Sequence, residues 1–216
     1  MVFWIASLAG LAVAYLLGSF PTGYIAGRLF RGVDIRDLGS GSTGATNVLR
    51  TLGPWAGAAV LLIDVLKGVA AIAVARTLWS WLEAQPSVTF VDLPSALPWA
   101  VCLAGLAALI GHARPVWLGF RGGKSVATGL GVLLAMSWPV GVGGLAVFAV
   151  AVAVFRMVSL GSILAALTAV GVVCALDHPL PYRLMVIAGG AYVVFLHRAN
   201  IRRLLAGTEP RLGRRS

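Results

Sequence analysis

Between Lys124 and Arg156 the chain carries no charged side chain. Residues 126–155 read "VATGLGVLLAMSWPVGVGGLAVFAVAVAVF". A helix rises about 1.5 Å per residue, and the hydrocarbon core of a bilayer is about 30 Å thick. The run is therefore too long for one crossing, and "SWPVGVGG" supplies a break. We expect two short spans that turn near 137–139. The run does not alternate apolar with polar residues, which a transmembrane barrel strand would require.

Comparable runs fill the rest of the chain. They cover 2–20, extended by "PTGYIAG" past a proline kink, then 54–82, about 97–110, about 159–176 and about 182–196. With the divided run this makes seven spans: an all-α integral membrane protein, read as a single seven-helix domain over 1–216. Charged residues make up 11% of the chain, about half the share of an ordinary soluble domain. The net charge of +10 would suggest nucleic acid in a soluble protein. Here the cations follow the helix ends, so we expect no nucleic-acid partner. Cys102 and Cys174 both lie inside apolar runs, which argues against a disulfide framework or a metal site. No basic leader or cleavage motif precedes the first run, so no signal peptide is expected.

The cations orient the chain. With the odd-numbered loops and the C-terminus inside, fourteen of seventeen fall there: Arg28, Arg31, Arg36, Arg50, Arg114, Arg121, Lys124, Arg156, Arg198, Arg202, Arg203, Arg211, Arg214 and Arg215. Arg76 and Arg183 lie near the outside, with Glu83, Asp92 and Asp177, while Lys67 is within a span. The positive-inside rule then puts the N-terminus outside and the C-terminus in the cytoplasm. Two glycine-rich polar segments and the basic tail share the cytoplasmic face.

The first of these segments is "GSGSTGATNVLR", 39–50. Gly39, Gly41 and Gly44 permit close backbone approach to a ligand. Ser40, Ser42, Thr43, Thr46 and Asn47 are hydrogen-bonding side chains, and Arg50 offers a planar fork suited to phosphate. The second is "FRGGKSVATGLG", 120–131, where Gly122, Gly123, Lys124 and Ser125 precede an apolar helix carrying Thr128. Glycines, a lysine and a helix N-terminus suit an anion. A nucleotide-binding loop would need glycine at 118, which is Leu118, and a preceding strand.

Asp64 and Lys67 share a helix face within a span, where each charge costs about 2.5–3.5 kcal/mol. We read them as a self-neutralising pair, with His112 as a further supporting residue. His197, Asn200 and Arg203 form a stripe at the end of the last span. Ser159 and Ser162 open the sixth, where helix capping is the simplest role. Other chemistries are absent. No HEXXH motif occurs, and the position five residues after each histidine is Trp117, Arg183 or Arg202, so the His-x4-Asp acyltransferase motif is missing. The aspartates are too few for a metal-dependent alcohol phosphotransferase. A transporter would be expected to show internal repeats and polar residues at mid-membrane in several spans; we find no repeat.

"GSGSTGATNVLR", "DVLKG", "GHARPVWLGFRGGKSVATGLG", "SLGSI" and "HRANIRRLLAGTE" occur in this order. Together they resemble the bacterial acyl-phosphate:glycerol-3-phosphate acyltransferases (PlsY) over nearly the whole chain. The resemblance implies transfer of a fatty acyl group from acyl phosphate to the 1-hydroxyl of glycerol 3-phosphate. The products would be lysophosphatidic acid and phosphate, with no cofactor or metal. It implies a multi-pass protein of the bacterial inner membrane, active at the cytoplasmic face among membrane lipids and supplied by an acyl-phosphate-producing enzyme.

By motif position, the resemblance assigns catalytic roles to Ser40, Arg50, Lys124, His197 and Asn200. It assigns substrate contacts to Gly41, Thr46, Asn47, Gly122, Gly123, Ser125, Thr128, Ser162 and Arg203, and support to Asp64, Lys67, His112 and Glu209. The chain departs from the family at Ser42-Thr43, where Asn-Pro is frequent, and at Arg121 and Ser125, where Lys and Gly are. We expect Lys124 and the 122–125 backbone to hold the departing phosphate, and Arg50 with Ser40 to hold glycerol 3-phosphate. His197 and Asn200 would orient one of these phosphates. Either His197 or a substrate phosphate would accept the hydroxyl proton.

Overall fold

The computed structural model describes residues 2–85 and 93–213. Asp92, Arg214 and Arg215, named above for the charge distribution, lie outside them. Among the described residues there is no strand. Contacts cluster into two compact units, Met1–Met136 and Ser137–Ser216.

The first unit holds α1 (Val2–Ser19), α2 (Thr22–Arg31), α3 (Ala45–Leu52), α4 (Pro54–Glu83), α5 (Leu93–Ala113) and α6 (Val126–Met136). Here α1 packs on α4 and α5, and α4 also packs on α6 and α3. Two reciprocal glycine pairs bring backbones together. A Cβ on Gly18 would strike the backbone of Ala108, and one on Gly111 the carbonyl of Tyr15. Gly68 meets the Thr128 carbonyl in the same way, and Gly131 that of Val65. Small residues at such crossings are how membrane helices gain van der Waals contact without a hydrophobic driving force between them.

The second unit holds α7 (Trp138–Phe155), α8 (Val158–Ala175), α9 (Leu180–Leu196) and α10 (Arg198–Leu205). In it α7 packs on α8, and α8 on α9. Leu8, Leu62, Trp138 and Val154 are among many large apolar side chains left exposed, as a surface bathed in lipid requires.

Among the described residues five stretches are long and apolar enough to cross a membrane: Trp4–Arg31, Pro54–Glu83, Ser95–Leu118, Trp138–Phe155 and Val158–Ala175. A sixth is added if α9 and α10, bent by 60°, count as one. The expected break in the long uncharged run falls at Ser137. The helix before it, α6, has only 11 residues. At about 1.5 Å each it covers roughly half of the hydrocarbon core, so the fourth expected span is a short element. The polar stretch at 28–53 is more ordered than the sequence suggests: α2 continues to Arg31, and α3 forms within it.

Candidate active site

The first glycine-rich loop is built around Asn47. This side chain is 1% exposed. Its Nδ2 donates to the carbonyls of Ile35 (3.1 Å), Leu38 (3.0 Å) and Ser42 (2.9 Å), and its Oδ1 accepts the Ser40 amide at 2.9 Å. Gly39, at φ 58°, packs where a Cβ would strike that Oδ1. Asn47, read from the sequence as a substrate contact, thus commits both polar atoms to shaping the loop. Ser40 and Gly41 lie exposed at its turn, Gly41 at φ 69°. Thr46 and Arg50 stand one helical turn apart on α3, and Arg50 is exposed.

A clasp beside the loop was not anticipated. Asp34 accepts the Arg36 amide (2.9 Å) and its guanidinium (2.6 Å to Nη2). Arg36 also donates to the Leu118 carbonyl at 2.9 Å, which ties the first loop to the start of the second. The Arg36 hydrogen bonds hold the Asp34 carboxyl below the usual carboxylate range, against a smaller opposing effect of burial. The Asp-x-Arg spacing at 34–36 was the available signal.

The second loop folds back onto the end of α5. Gly122 donates its amide to the Ala113 carbonyl and Gly123 to that of His112, both at 3.1 Å. A Cβ on Gly122 would meet the His112 carbonyl, and one on Gly123 the His112 ring. These glycines therefore supply close packing, and their amides already have partners within the protein. Ser125 takes φ 60° and is fully buried, its hydroxyl donating to the Leu109 carbonyl at 2.7 Å. The half-buried Lys124 stands between these two anchored residues, just ahead of α6. Thr128 is fully buried and shares a hydrogen bond with His112 Nδ1 (3.1 Å). Gly122, Gly123, Ser125 and Thr128 thus act as architecture around Lys124, where the sequence suggested ligand contacts.

Beneath this loop lies the charged pair of α4. Lys67 Nζ is 2.8 Å from Asp64 Oδ1 and donates to the Phe20 carbonyl at 3.1 Å, at the break between α1 and α2. Thr22 donates to the same Asp64 oxygen at 3.1 Å, and His112 Nδ1 is 3.8 Å from it. The self-neutralising pair expected from sequence is present, with His112 beside it; Thr22 is an addition.

In the second unit the expected stripe is divided. The helix breaks at His197, so Asn200 and Arg203 lie on α10 while His197 sits at the junction. His197 is 3% exposed, and its Nδ1 is 2.8 Å from the Val193 carbonyl. A carbonyl only accepts, so Nδ1 carries a proton. Glu209 organises the remaining residues. Its Oε1 accepts from Ser159 (2.6 Å) and Asn200 (2.7 Å), and its Oε2 from Arg203 Nε (2.8 Å). Burial pushes the Glu209 carboxyl up, but these three bonds together hold it below its ordinary value. Ser159 is therefore no cap: Met157 occupies the N-cap position of α8. Ser162 is buried and donates to the Val158 carbonyl at 2.8 Å. Among the described residues no cluster of His, Cys, Asp or Glu could hold a metal.

A family model described as glycerol-3-phosphate acyltransferase matches residues 8–207. The chain belongs to the glycerol-3-phosphate acyltransferase family. It is 67% identical to glycerol-3-phosphate acyltransferase 2 of Rhizobium johnstonii, over 99% of each chain. It is 56% identical to the glycerol-3-phosphate acyltransferase of a Nostoc species, over 100% of this chain and 96% of that one. Two crystal structures of PlsY, an integral membrane glycerol 3-phosphate acyltransferase, are similar to it. The glycerol 3-phosphate form shares 39% identity at a TM-score of 0.81, covering 96% of both chains. The lysophosphatidic acid form shares 38% at 0.79, covering 96% and 95%.

For a glycerol-3-phosphate acyltransferase the division of labour in residues 1–136 is chemically sensible. Arg50 is the cation of the first segment, and Arg121 and Lys124 are those of the second. The amides, amide side chains and hydroxyls around them are largely engaged in holding loop shape.

Proposed function

We propose that this acyltransferase uses an acyl phosphate as donor and acylates the 1-hydroxyl of sn-glycerol 3-phosphate, giving lysophosphatidic acid and inorganic phosphate. The observation that carries the reading is the pair of cation-bearing loops of residues 1–136, joined by the Arg36–Leu118 hydrogen bond. Two anionic substrates need two such seats. Arg50 with Ser40 and Thr46 receives glycerol 3-phosphate, and Lys124 receives the phosphate of the donor. In residues 137–216 we assign His197 and Asn200 to orienting a phosphate, with Ser162 and Arg203 as further contacts and Glu209 as their support. An apolar groove lined by Val13, Leu16, Phe20, Ile63 and Leu66 offers the acyl chain a seat open to lipid.

The hydroxyl oxygen attacks the acyl carbonyl carbon, and the bond from that carbon to the phosphate oxygen breaks. Phosphate leaves with the electron pair, and the hydroxyl proton passes to a phosphate oxygen of the substrates. An acyl phosphate is a mixed anhydride, so positioning and charge stabilisation count for more than a strong base. Asp34, Asp64 and Glu209 all accept hydrogen bonds within the protein, which favours this route over a carboxylate base at those positions. The charge distribution supports a seven-pass arrangement in the bacterial inner membrane, with the N-terminus outside and the active site cytoplasmic. The whole chain serves as one catalytic domain, supplied by an enzyme that makes acyl phosphate.

The test is lysophosphatidic acid formation by purified protein with palmitoyl phosphate or palmitoyl-CoA. Product from the phosphate alone is expected. Product from the CoA ester alone would overturn the donor assignment.

A further inference from the structure

Asp64 and Lys67 take no part in the chemistry above, yet they hold two charges inside a span, where each costs about 2.5–3.5 kcal/mol. Their connections lead in one direction. Asp64 Oδ1 gathers Thr22 and Lys67, with His112 Nδ1 at 3.8 Å. The His112 ring is held by Thr128 on α6, at 3.1 Å. Its carbonyl takes the Gly123 amide at 3.1 Å, and its ring lies where a Gly123 side chain would be. Ser125 is bonded to Leu109, one turn earlier on α5. Lys124 is thus flanked by two residues, each fastened to α5: Gly123 at His112 and Ser125 at Leu109. Backbone contact between α4 and α6 at Gly68 and Gly131 leaves little room for this stack to slide.

We infer that Thr22, Asp64, Lys67, His112 and Thr128 form a positioning device for Lys124: the buried pair fixes the place of His112, and His112 fixes the loop that presents the lysine to the donor phosphate. The role of Lys124 rests on the function proposed above. Thr128 and His112 are positioning residues, which act through the loop and touch no substrate. A loosened hold on a phosphate-binding lysine weakens ground-state and transition-state binding together, which appears as a raised KM for that substrate.

The experiment compares Thr128→Val, Thr128→Ser and His112→Gln with the wild-type chain in detergent, using palmitoyl phosphate and glycerol 3-phosphate. The expected result is a KM for palmitoyl phosphate about tenfold higher in Thr128→Val and His112→Gln, with the KM for glycerol 3-phosphate changed by less than about threefold. Thr128→Ser, which keeps the hydroxyl, should restore wild-type values. Both KM values unchanged, or both rising in step with a fall in melting temperature, would overturn the inference. Hydrogen exchange at 122–125, measured on the same proteins, judges the device without any substrate. Faster exchange there in Thr128→Val, with the 39–47 loop unaffected, is expected, and unchanged exchange at 122–125 counts against it. A wild-type chain that turns over no acyl phosphate would remove the donor assignment while leaving the exchange result to decide the positioning.

Discussion

Among the described residues each unit has a buried carboxylate that gathers neighbouring side chains, and the two are solved differently. Asp64 sits inside a span and is paired with an equally buried lysine, the two side chains being 2% and 7% exposed. Glu209 lies after the last helix and is paired with Arg203, whose side chain is 39% exposed. The first pair has little water to fall back on, so each charge depends on the other. The second can exchange part of its partnership for solvent. In both places the oxygens of the acid accept hydrogen bonds from neighbouring side chains. An acidic residue within a motif therefore does not by itself identify a base.

The sharpest way to break this comparison is to remove one partner in each unit. Lys67→Met leaves the Asp64 carboxylate without its cation and should destabilise the first unit by about 3–5 kcal/mol, since an uncompensated buried charge is the costliest of such lesions. Arg203→Met should cost less, about 1 kcal/mol, because that pair is partly hydrated. Thermal melts in detergent check both, and equal losses would erase the distinction. The double variant Asp64→Asn with Lys67→Met should recover much of the loss, as a neutral pair removes the desolvation problem. A smaller effect is expected from Asn47→Ala, about 1–3 kcal/mol, because three carbonyls and an amide lose their shared partner; hydrogen exchange at 39–42 would report it.

The smallest effect concerns pH. Asp34 and Glu209 both have carboxyls lowered by folding. Their stabilisation is fully present above the unfolded values, about pH 4, and is lost as pH falls through the lower folded values. The melting temperature should stay level from neutral pH to about pH 5 and decline below about pH 4. Glu209→Gln should flatten part of that decline. An unaltered acid limb in that variant would remove Glu209 from the account.

The apolar runs and their breaks at Ser137, Arg156 and Asp177–Pro181 were legible because hydropathy, proline and an isolated charge act locally. The family motifs also located the two loops correctly. What stayed hidden depends on distant partners. Nothing near His197 announces a 60° bend; no proline or glycine lies beside it. The glycines at 122 and 123 read as ligand-facing amides, yet their partners lie about ten residues back, on the end of α5. Asn47 looked like a donor to substrate because its three carbonyl partners come from a turn whose shape the sequence does not reveal. Ser159 resembled a cap, and only the chain's return at Glu209 shows its use.

The measurement that bears most directly on the two-seat arrangement is a paired kinetic comparison of Arg50→Ala and Lys124→Ala, each titrated with both substrates. Opposite selectivity is predicted. Arg50→Ala should raise the KM for glycerol 3-phosphate by about tenfold or more with little change for acyl phosphate, and Lys124→Ala should do the reverse or abolish turnover. Two variants with the same pattern for both substrates would contradict separate phosphate seats on the two loops.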